Sequence, residues 1–336
     1  MSQKGIRLKK PIVYISSRSF GKITSDGLRI LERVAEIGKN PLERHLTESE
    51  LIEKVENAVG VIAGSEKHTS RVISAAKHLK VIGRHGVGVD NIDLKTATKK
   101  GVIVTYTPLA NTESVADLTL AALLALTRMI PMADKSVKEG DWSPLKFIGM
   151  ELLGKKIGII GLGNVGSKVA KRAASFGMKI LAYDPYIDEG KAKDLGAKLV
   201  ELATLLKESD VVTIHVPLVK ETIGMIGEKE LKMMKSEAFL INMARGKIVD
   251  EKALVEALKR GEIKGAAVDV FEKEPPDPDN PLLKLDNVIL TPHIGAYTLE
   301  AIRRMDITVA MDVAKVLKGK KPDHIVNPEV LSQVRS

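Results

Sequence analysis

Cysteine is absent from this chain, which excludes a disulfide framework, a thiolate nucleophile and any Cys-ligated metal. Aromatic side chains are scarce as well, 3% of 336 residues with one tryptophan, too few for the stacking platforms on which single-stranded nucleic acid is held. Long apolar runs are missing: the longest, near residues 118–126, is far short of the roughly 20 residues that cross a bilayer. The first ten residues are basic but lack the apolar stretch of a secretory signal. No GxSxG nucleophile elbow occurs, which argues against a hydrolase. These absences lead us to expect a cytoplasmic protein with neither a membrane nor a nucleic acid as its partner.

What is present points to a sizeable enzyme. With 44% hydrophobic residues over 336 positions, the chain can bury substantial cores and is long enough for two domains. Its net charge is +9, but the basic residues are scattered, with small clusters only at residues 4–10 and 315–321, so the footprint of a nucleic-acid surface is weak. A positive field also suits a protein whose cofactor and substrate are both anions, because it raises their local concentration.

Residues 156–184 carry the strongest local signal. Lys156–Ile160 reads as a buried strand, Gly161-Leu162-Gly163-Asn164-Val165-Gly166 breaks it, residues 167–176 have helical periodicity, and Lys179–Tyr183 is a second strand ending at Asp184. This is a dinucleotide-binding βαβ half-unit, with Gly161 for the tight turn, Gly163 for approach to a pyrophosphate and Gly166 for close packing of the helix. The helix N-terminus then faces the phosphates with its partial positive charge. A GxGxxG alone is a weak signal, but here the strand, the helix and the acid about 20 residues on all accompany it. Asp184 suits the ribose hydroxyls of NAD and would repel the 2′-phosphate of NADP, and no base follows until Lys191. NAD is the expected cofactor.

Strands and helices alternate throughout, without repeats or low-complexity segments. Short apolar runs at residues 11–15, 60–63, 81–82 and 102–104 read as strands of a first α/β unit. A long helix at residues 112–129 leads away from it. After the βαβ half-unit come strands at residues 211–216, 238–241, 266–270 and 288–290, then a last helix at residues 299–318. The expected fold class is α/β, with two doubly wound parallel-sheet (Rossmann-like) domains, the first discontinuous, and a cleft between. The expected bounds are 1–110 with 298–336 for the substrate domain and 111–297 for the NAD-binding domain. In such sheets ligands lie outside the carboxyl ends of the strands, and the later strands deliver His215-Val216-Pro217, Asn242 through Arg245, Asp269 and Thr291-Pro292-His293 to that edge.

These segments resemble the D-2-hydroxyacid dehydrogenases that bind NAD. The likeness rests on residues 161–166 with Asp184, on residues 242–250 (NMARGKIVD), 265–275 (GAAVDVFEKEP) and 291–296 (TPHIGA), and on 85–91 (HGVGVDN) in the first domain. It spans nearly the whole chain. The resemblance implies hydride transfer between the nicotinamide and a D-2-hydroxy acid or 2-keto acid, with Arg245, Glu274 and His293 as the catalytic trio. It implies cofactor contacts from Gly161, Gly163, Asn164, Val165, Gly166, Asp184, His215, Val216, Pro217, Thr222, Met243, Ala244, Asp269, Gly295 and Ala296. The chemistry is consistent: an imidazole can act as acid in one direction and base in the other, a carboxylate orients it and favours its charged form, and a guanidinium fork holds the substrate carboxylate. Taken singly, each member of the trio has an ordinary structural explanation. It is their joint occurrence, in family order, that supports the site.

Substrate choice falls to the first domain. The His85-Gly86-Val87-Gly88 turn follows a strand, and its N–H groups either hold a carboxylate or merely close a turn. By resemblance, Arg84, Val87, Gly88 and Asn111 are the substrate residues, and a basic residue at position 84 is similar to relatives acting on 3-phosphoglycerate. The Ala63-Gly64 turn offers no second base. The alternatives are a glyoxylate or hydroxypyruvate reductase of the same family, or a non-enzymatic NAD-sensing regulator of the corepressor kind. His45, His68, His78, His85 and His324 lack metal-ligand spacing, so no metal is expected and they read as surface or packing residues. The apolar helix at 117–126 and the stretch at 128–142 predict a homodimer, with Leu123 and Leu124 at the contact.

Overall fold

The computed structural model describes residues 10–42 and 44–332. Its contacts divide the chain into two compact units, Met1–Asn111 with Tyr297–Ser336 and Thr112–Ala296. Apart from Lys10, the basic segment at 4–10 lies outside the described residues.

The first unit is built on five strands: β1 (Ile12–Ile15), β2 (Glu36–Lys39), β3 (Gly60–Ala63), β4 (Val81–Arg84) and β5 (Ile103–Thr105). They pair in parallel in the order β2-β1-β3-β4-β5. Parallel strands covered on both faces must be apolar on both, and successive side chains divide between two cores. Val13, Ile15, Ile62, Val81 and Ile103 join Leu28, Leu31, Val309 and Val313 from helices Asp26–Glu32 and Leu299–Leu317. Tyr14, Val61, Ala63, Ile82 and Val104 join Leu51, Val55, Val72, Ile73 and Ala97 from the helices on the other face. Strand β2 escapes a reading by pattern because Glu36-Ile37-Gly38-Lys39 is an edge strand with polar ends, held by its register against β1.

The second unit holds seven strands: β6 (Lys156–Ile160), β7 (Lys179–Tyr183), β8 (Ala197–Leu199), β9 (Val211–Ile214), β10 (Phe239–Asn242), β11 (Gly265–Val268) and β12 (Val288–Leu290). Their order is β12-β11-β10-β9-β6-β7-β8, all parallel, so the direction of winding reverses between β6 and β9. Helices Thr112–Thr127 and Asn164–Ser175 cover one face, where Ala116, Leu120, Leu123, Val169 and Ala173 meet Ile157 and Ile159. The short edge strand β8 carries too few apolar residues to stand out in the sequence.

The long helix differs from its sequence reading in two respects. It stops at Thr127, because Met129 takes a left-handed conformation (φ 54°), and the chain restarts as Ile130–Lys138, with a proline in its first turn and a bend of 60° between the two helices. Leu123, expected at a subunit contact, is 1% exposed and belongs to the core of its own unit. A helix apolar nearly all round is here a core helix. Among the described residues no single helix is long and apolar enough to cross a membrane.

The packing of helix Leu299–Leu317 on β4 is tight at one point. A Cβ added at Gly83 would lie 2.6 Å from both Val309 Cγ2 and Val313 Cγ2. Gly83→Ala is expected to destabilise the first unit by about 1–3 kcal/mol through overpacking, read as an earlier urea midpoint. An unchanged midpoint would show that the helix can shift without cost.

Candidate active site

The carboxyl edge of the second unit gathers the residues expected to hold the cofactor. Gly161 is left-handed (φ 90°), and a Cβ there would lie 2.9 Å from the carbonyl of His215. Gly166 is packed harder still, with its Cβ position 2.0 Å from the Gly161 oxygen, whereas a Cβ on Gly163 would meet nothing within 4 Å. The turn is therefore closed on the helix side and open at Gly163, where a pyrophosphate would approach. The helix begins at Asn164, three residues before the periodicity shows it, and its first i→i−4 bond runs from Ser167 N to Gly163 O. The N–H groups of Asn164, Val165 and Gly166 precede that bond and remain for an anion.

Asp184 is half-buried at the end of β7. It accepts hydrogen bonds from Leu162 N at 2.8 Å and Tyr186 N at 2.9 Å, one on each oxygen. The carboxylate thus ties the Gly-rich turn to its own strand end and keeps lone pairs for a ribose diol. His215, beyond β9, shares a hydrogen bond of 2.9 Å with Thr213 Oγ1, and burial pushes its pKa down to about 3. It is neutral at physiological pH. Val216 is half-buried and Pro217 exposed, and Thr222 closes this loop by donating to Pro217 O at 2.7 Å and accepting from Val219 N at 2.9 Å.

Arg245 stands just beyond β10, where Asn242 builds its support. The Asn242 side chain accepts from Ala244 N at 3.1 Å and donates to Arg245 O at 2.9 Å, and Arg245 Nη1 donates to Ala244 O at 2.7 Å. Met243 is buried beneath this turn and Ala244 half-buried. Gly246 admits no side chain, since its Cβ position lies 2.0 Å from the Phe271 carbonyl carbon. The sequence places Asn242 at this edge and Gly246 in the same motif without assigning either a role. Their signal is local: an Asx residue at a strand end and a glycine directly after the arginine.

Glu274 and His293, two members of the expected trio, are in contact. His293 Nδ1 lies 2.7 Å from Glu274 Oε2, with the side chains 40% and 33% exposed. Burial would raise the Glu274 carboxyl, but His293, the Phe271 N–H and the charge of Arg245 outweigh it and hold the group below the usual carboxylate range. His293 itself is left-handed (φ 54°), its N–H donating to Asp269 O at 2.9 Å. Asp269, 1% exposed, accepts from Thr291 Oγ1 at 2.6 Å, Ile294 N at 2.8 Å and Gly295 N at 2.9 Å. It folds the loop that presents His293, while burial pushes its own carboxyl up. Gly295 is buried and Ala296 half-buried at the end of that loop, where Ser114 Oγ donates to Gly295 O at 2.7 Å. The trio and every proposed cofactor residue therefore belong to one unit.

The expected substrate residues belong to the other. Arg84 ends β4, and its guanidinium turns onto its own loop, with Nε donating to Gly88 O at 2.9 Å and Nη1 donating to His85 O. Gly86 has a positive φ of 148°, Val87 is 39% exposed and Gly88 half-buried. Asn111 follows β5, after Leu109 in a left-handed conformation (φ 64°).

Residues 120–295 match the family described as D-isomer specific 2-hydroxyacid dehydrogenase, NAD binding domain. The chain belongs to the D-isomer specific 2-hydroxyacid dehydrogenases. It is 49% identical over 301 residues to the D-3-phosphoglycerate dehydrogenase of Archaeoglobus fulgidus, covering 88% of this chain and 57% of that one. It is 43% identical over 331 residues to the glyoxylate reductase of Thermococcus litoralis, covering 96% and 98%. A solved relative is the D-lactate dehydrogenase from Aquifex aeolicus complexed with NAD and lactic acid, with TM-score 0.82, 33% identity and coverage of 94% and 99%. The chain spans little more than half the length of the phosphoglycerate dehydrogenase, 57%, and nearly all of the other two.

A 2-hydroxyacid dehydrogenase of this family needs a dinucleotide cradle, and the open Gly163, the packed Gly166 and the two-oxygen seat of Asp184 fit NAD. Asp184→Ala is expected to weaken NADH binding by roughly tenfold to a hundredfold, the size of a hydrogen bond to a charged group of about 1.5–3 kcal/mol, and to narrow the gap to NADPH. A fluorescence titration checks this, and equal wild-type affinities for the two cofactors would remove Asp184 from cofactor choice.

Proposed function

We propose that this protein interconverts a D-2-hydroxy acid and its 2-keto acid with NAD. The observation that carries the reading is the 2.7 Å contact between His293 Nδ1 and Glu274 Oε2, in the same unit as the dinucleotide cradle and within the electrostatic reach of Arg245. With Nδ1 bound to the carboxylate, Nε2 is the nitrogen that can serve the substrate oxygen, donating a proton during reduction and taking it back during oxidation. Glu274 stays ionised and holds the ring in one orientation. Arg245, its backbone fixed by Asn242, offers a fork for the substrate carboxylate. His215 is neutral and adds a dipole, not a charge. The bound cofactor supplies or accepts the hydride.

The substrate class we infer is a small unphosphorylated 2-keto acid of the glyoxylate or hydroxypyruvate kind. Two nitrogens of Arg84 are engaged by carbonyls of its own turn, and Gly64 adds no charge; its Cβ position lies 2.7 Å from Glu66 Oε2. The second reading is 3-phosphoglycerate, favoured by the 49% identity to phosphoglycerate dehydrogenases. NADH turnover with a panel of 2-keto acids separates the two, and its complete absence would leave a sensing regulator. In that assay His293→Ala is expected to cut the rate by about 10²–10⁴-fold. Glu274→Gln should move the pH profile of keto-acid reduction downward, since the charged imidazole loses its partner. An unchanged profile would remove Glu274 from the mechanism.

We also propose that the protein works as a homodimer in the cytoplasm, a setting supported by its use of a soluble dinucleotide, with small acids rather than nucleic acid or membrane as its partners. Support for the dimer comes from apolar side chains gathered in one stretch: Ile130 is 52% exposed, Val137 53%, Trp142 82%, Leu145 84%, Ile148 73% and Leu153 70%. Large apolar side chains exposed together along one stretch of chain favour a protein contact, and two-fold pairing is the commonest closed symmetry. Light scattering is expected to give twice the monomer mass, and Trp142→Glu with Leu145→Glu to give the monomer. A wild-type monomer at micromolar concentration would refute it.

A further inference from the structure

Two buried polar side chains of the first unit have no part in the chemistry above. Asp306, on helix Leu299–Leu317, is wholly buried, and His85, directly after β4, is 5% exposed. His85 Nε2 lies 2.8 Å from Asp306 Oδ1. The other carboxylate oxygen accepts from Thr24 Oγ1 at 2.9 Å and Gly21 N at 3.2 Å. The other imidazole nitrogen, Nδ1, faces Ser17 Oγ at 3.3 Å and Ser19 Oγ at 3.2 Å, and the ring meets Phe20 edge-on at 5.6 Å. A carboxylate only accepts, so Nε2 carries a proton toward Asp306, while burial lowers the basicity of the ring.

A buried pair of this kind is a poor source of stability, because packed apolar residues fill the same space as well or better. Its effect lies in where it holds the backbone. The His85 N–H continues the sheet by donating to Ala63 O at 2.9 Å, while its carbonyl receives Arg84 Nη1 and the same guanidinium reaches Gly88 O. A continuous chain of contacts thus runs from Asp306 through His85 and Arg84 to Gly88. We propose that Asp306 and His85 are positioning residues that hold the 84–88 turn in one conformation, so that its Val87 and Gly88 N–H groups are set for the substrate carboxylate. The second half of this statement rests on the hydroxyacid dehydrogenase reading; the first does not.

The test uses the full-length protein with Asp306→Asn and His85→Gln, and Thr24→Val as a milder variant that removes one bond to Asp306 and leaves the pair in place. Amide hydrogen exchange at residues 86–88 is expected to rise by about tenfold or more in the first two, and less in the third, while β3 exchanges as before. Alongside this, KM for glyoxylate should rise by about tenfold with kcat within about threefold and NADH affinity unchanged, as expected when only ground-state positioning is lost. Unchanged exchange at 86–88 in all three variants overturns the positioning role. Faster exchange with unchanged KM keeps that role and removes the turn from substrate binding. If the wild type turns over no 2-keto acid, the functional reading fails and the exchange result still decides the role of the pair. Should Asp306→Asn or His85→Gln not fold, Thr24→Val decides the exchange arm.

Discussion

Parallel pairing is the constraint on which the rest depends. Strands that run the same way place all their carboxyl ends on one edge, and each helical crossover returns the chain to the opposite edge before the next strand begins. In both units every strand pair is parallel, so residues far apart in sequence such as Gly163, Asp184, His215, Arg245, Asp269 and His293 all follow carboxyl ends of one sheet. The apolar strands and the polar strand ends are two aspects of one arrangement: the sheet is covered on both faces, and only the edge is left for ligands.

That edge consists of loops, and loops need partners for their backbone groups. A side-chain oxygen supplies them repeatedly. Asp184 receives Leu162 N and Tyr186 N, Asp269 receives Ile294 N and Gly295 N, and Asn242 receives Ala244 N. In the first unit Asp306 receives Gly21 N and Glu66 receives Gly64 N. Glu66 is buried, which alone would raise its carboxyl, but the imidazoles of His45 and His68, each 3.5 Å away, hold it well below the usual range. Histidines that read from sequence as packing residues are therefore counter-groups for buried acids. The reactive pair follows the same rule, since Glu274 takes the Phe271 N–H on one oxygen and His293 on the other.

Strong local patterns were legible without coordinates. Strands β3, β6 and β7 fall at the bounds their apolar runs predict, because a strand inside a sheet covered on both faces is apolar along most of its length, and the edge strand β12 does so as well through its unbroken apolar run Val288–Leu290. Edge strands β2 and β8 were not, since one open side relaxes the pattern. The helix Asn164–Ser175 begins earlier than its periodicity, as its first turn, Asn164 to Gly166, holds too few apolar side chains to show one.

The sequence by itself determined the α/β alternation and the glycine turn with its acid, because each is written in spacing or in chemistry that few other residues can supply, while the trio was indicated by resemblance to the D-2-hydroxyacid dehydrogenases. Only the tertiary structure decided what each polar group is used for. The Arg84 guanidinium meets carbonyls of its own loop, Asp269 organises the His293 loop, and Leu123 lies in the core of its unit. The reason is that a hydrogen-bonding group engages whichever partners folding brings within about 3 Å, and neither the turn that carries Arg84 onto His85 and Gly88 nor the loop that brings residues 291–295 to Asp269 is written in spacing.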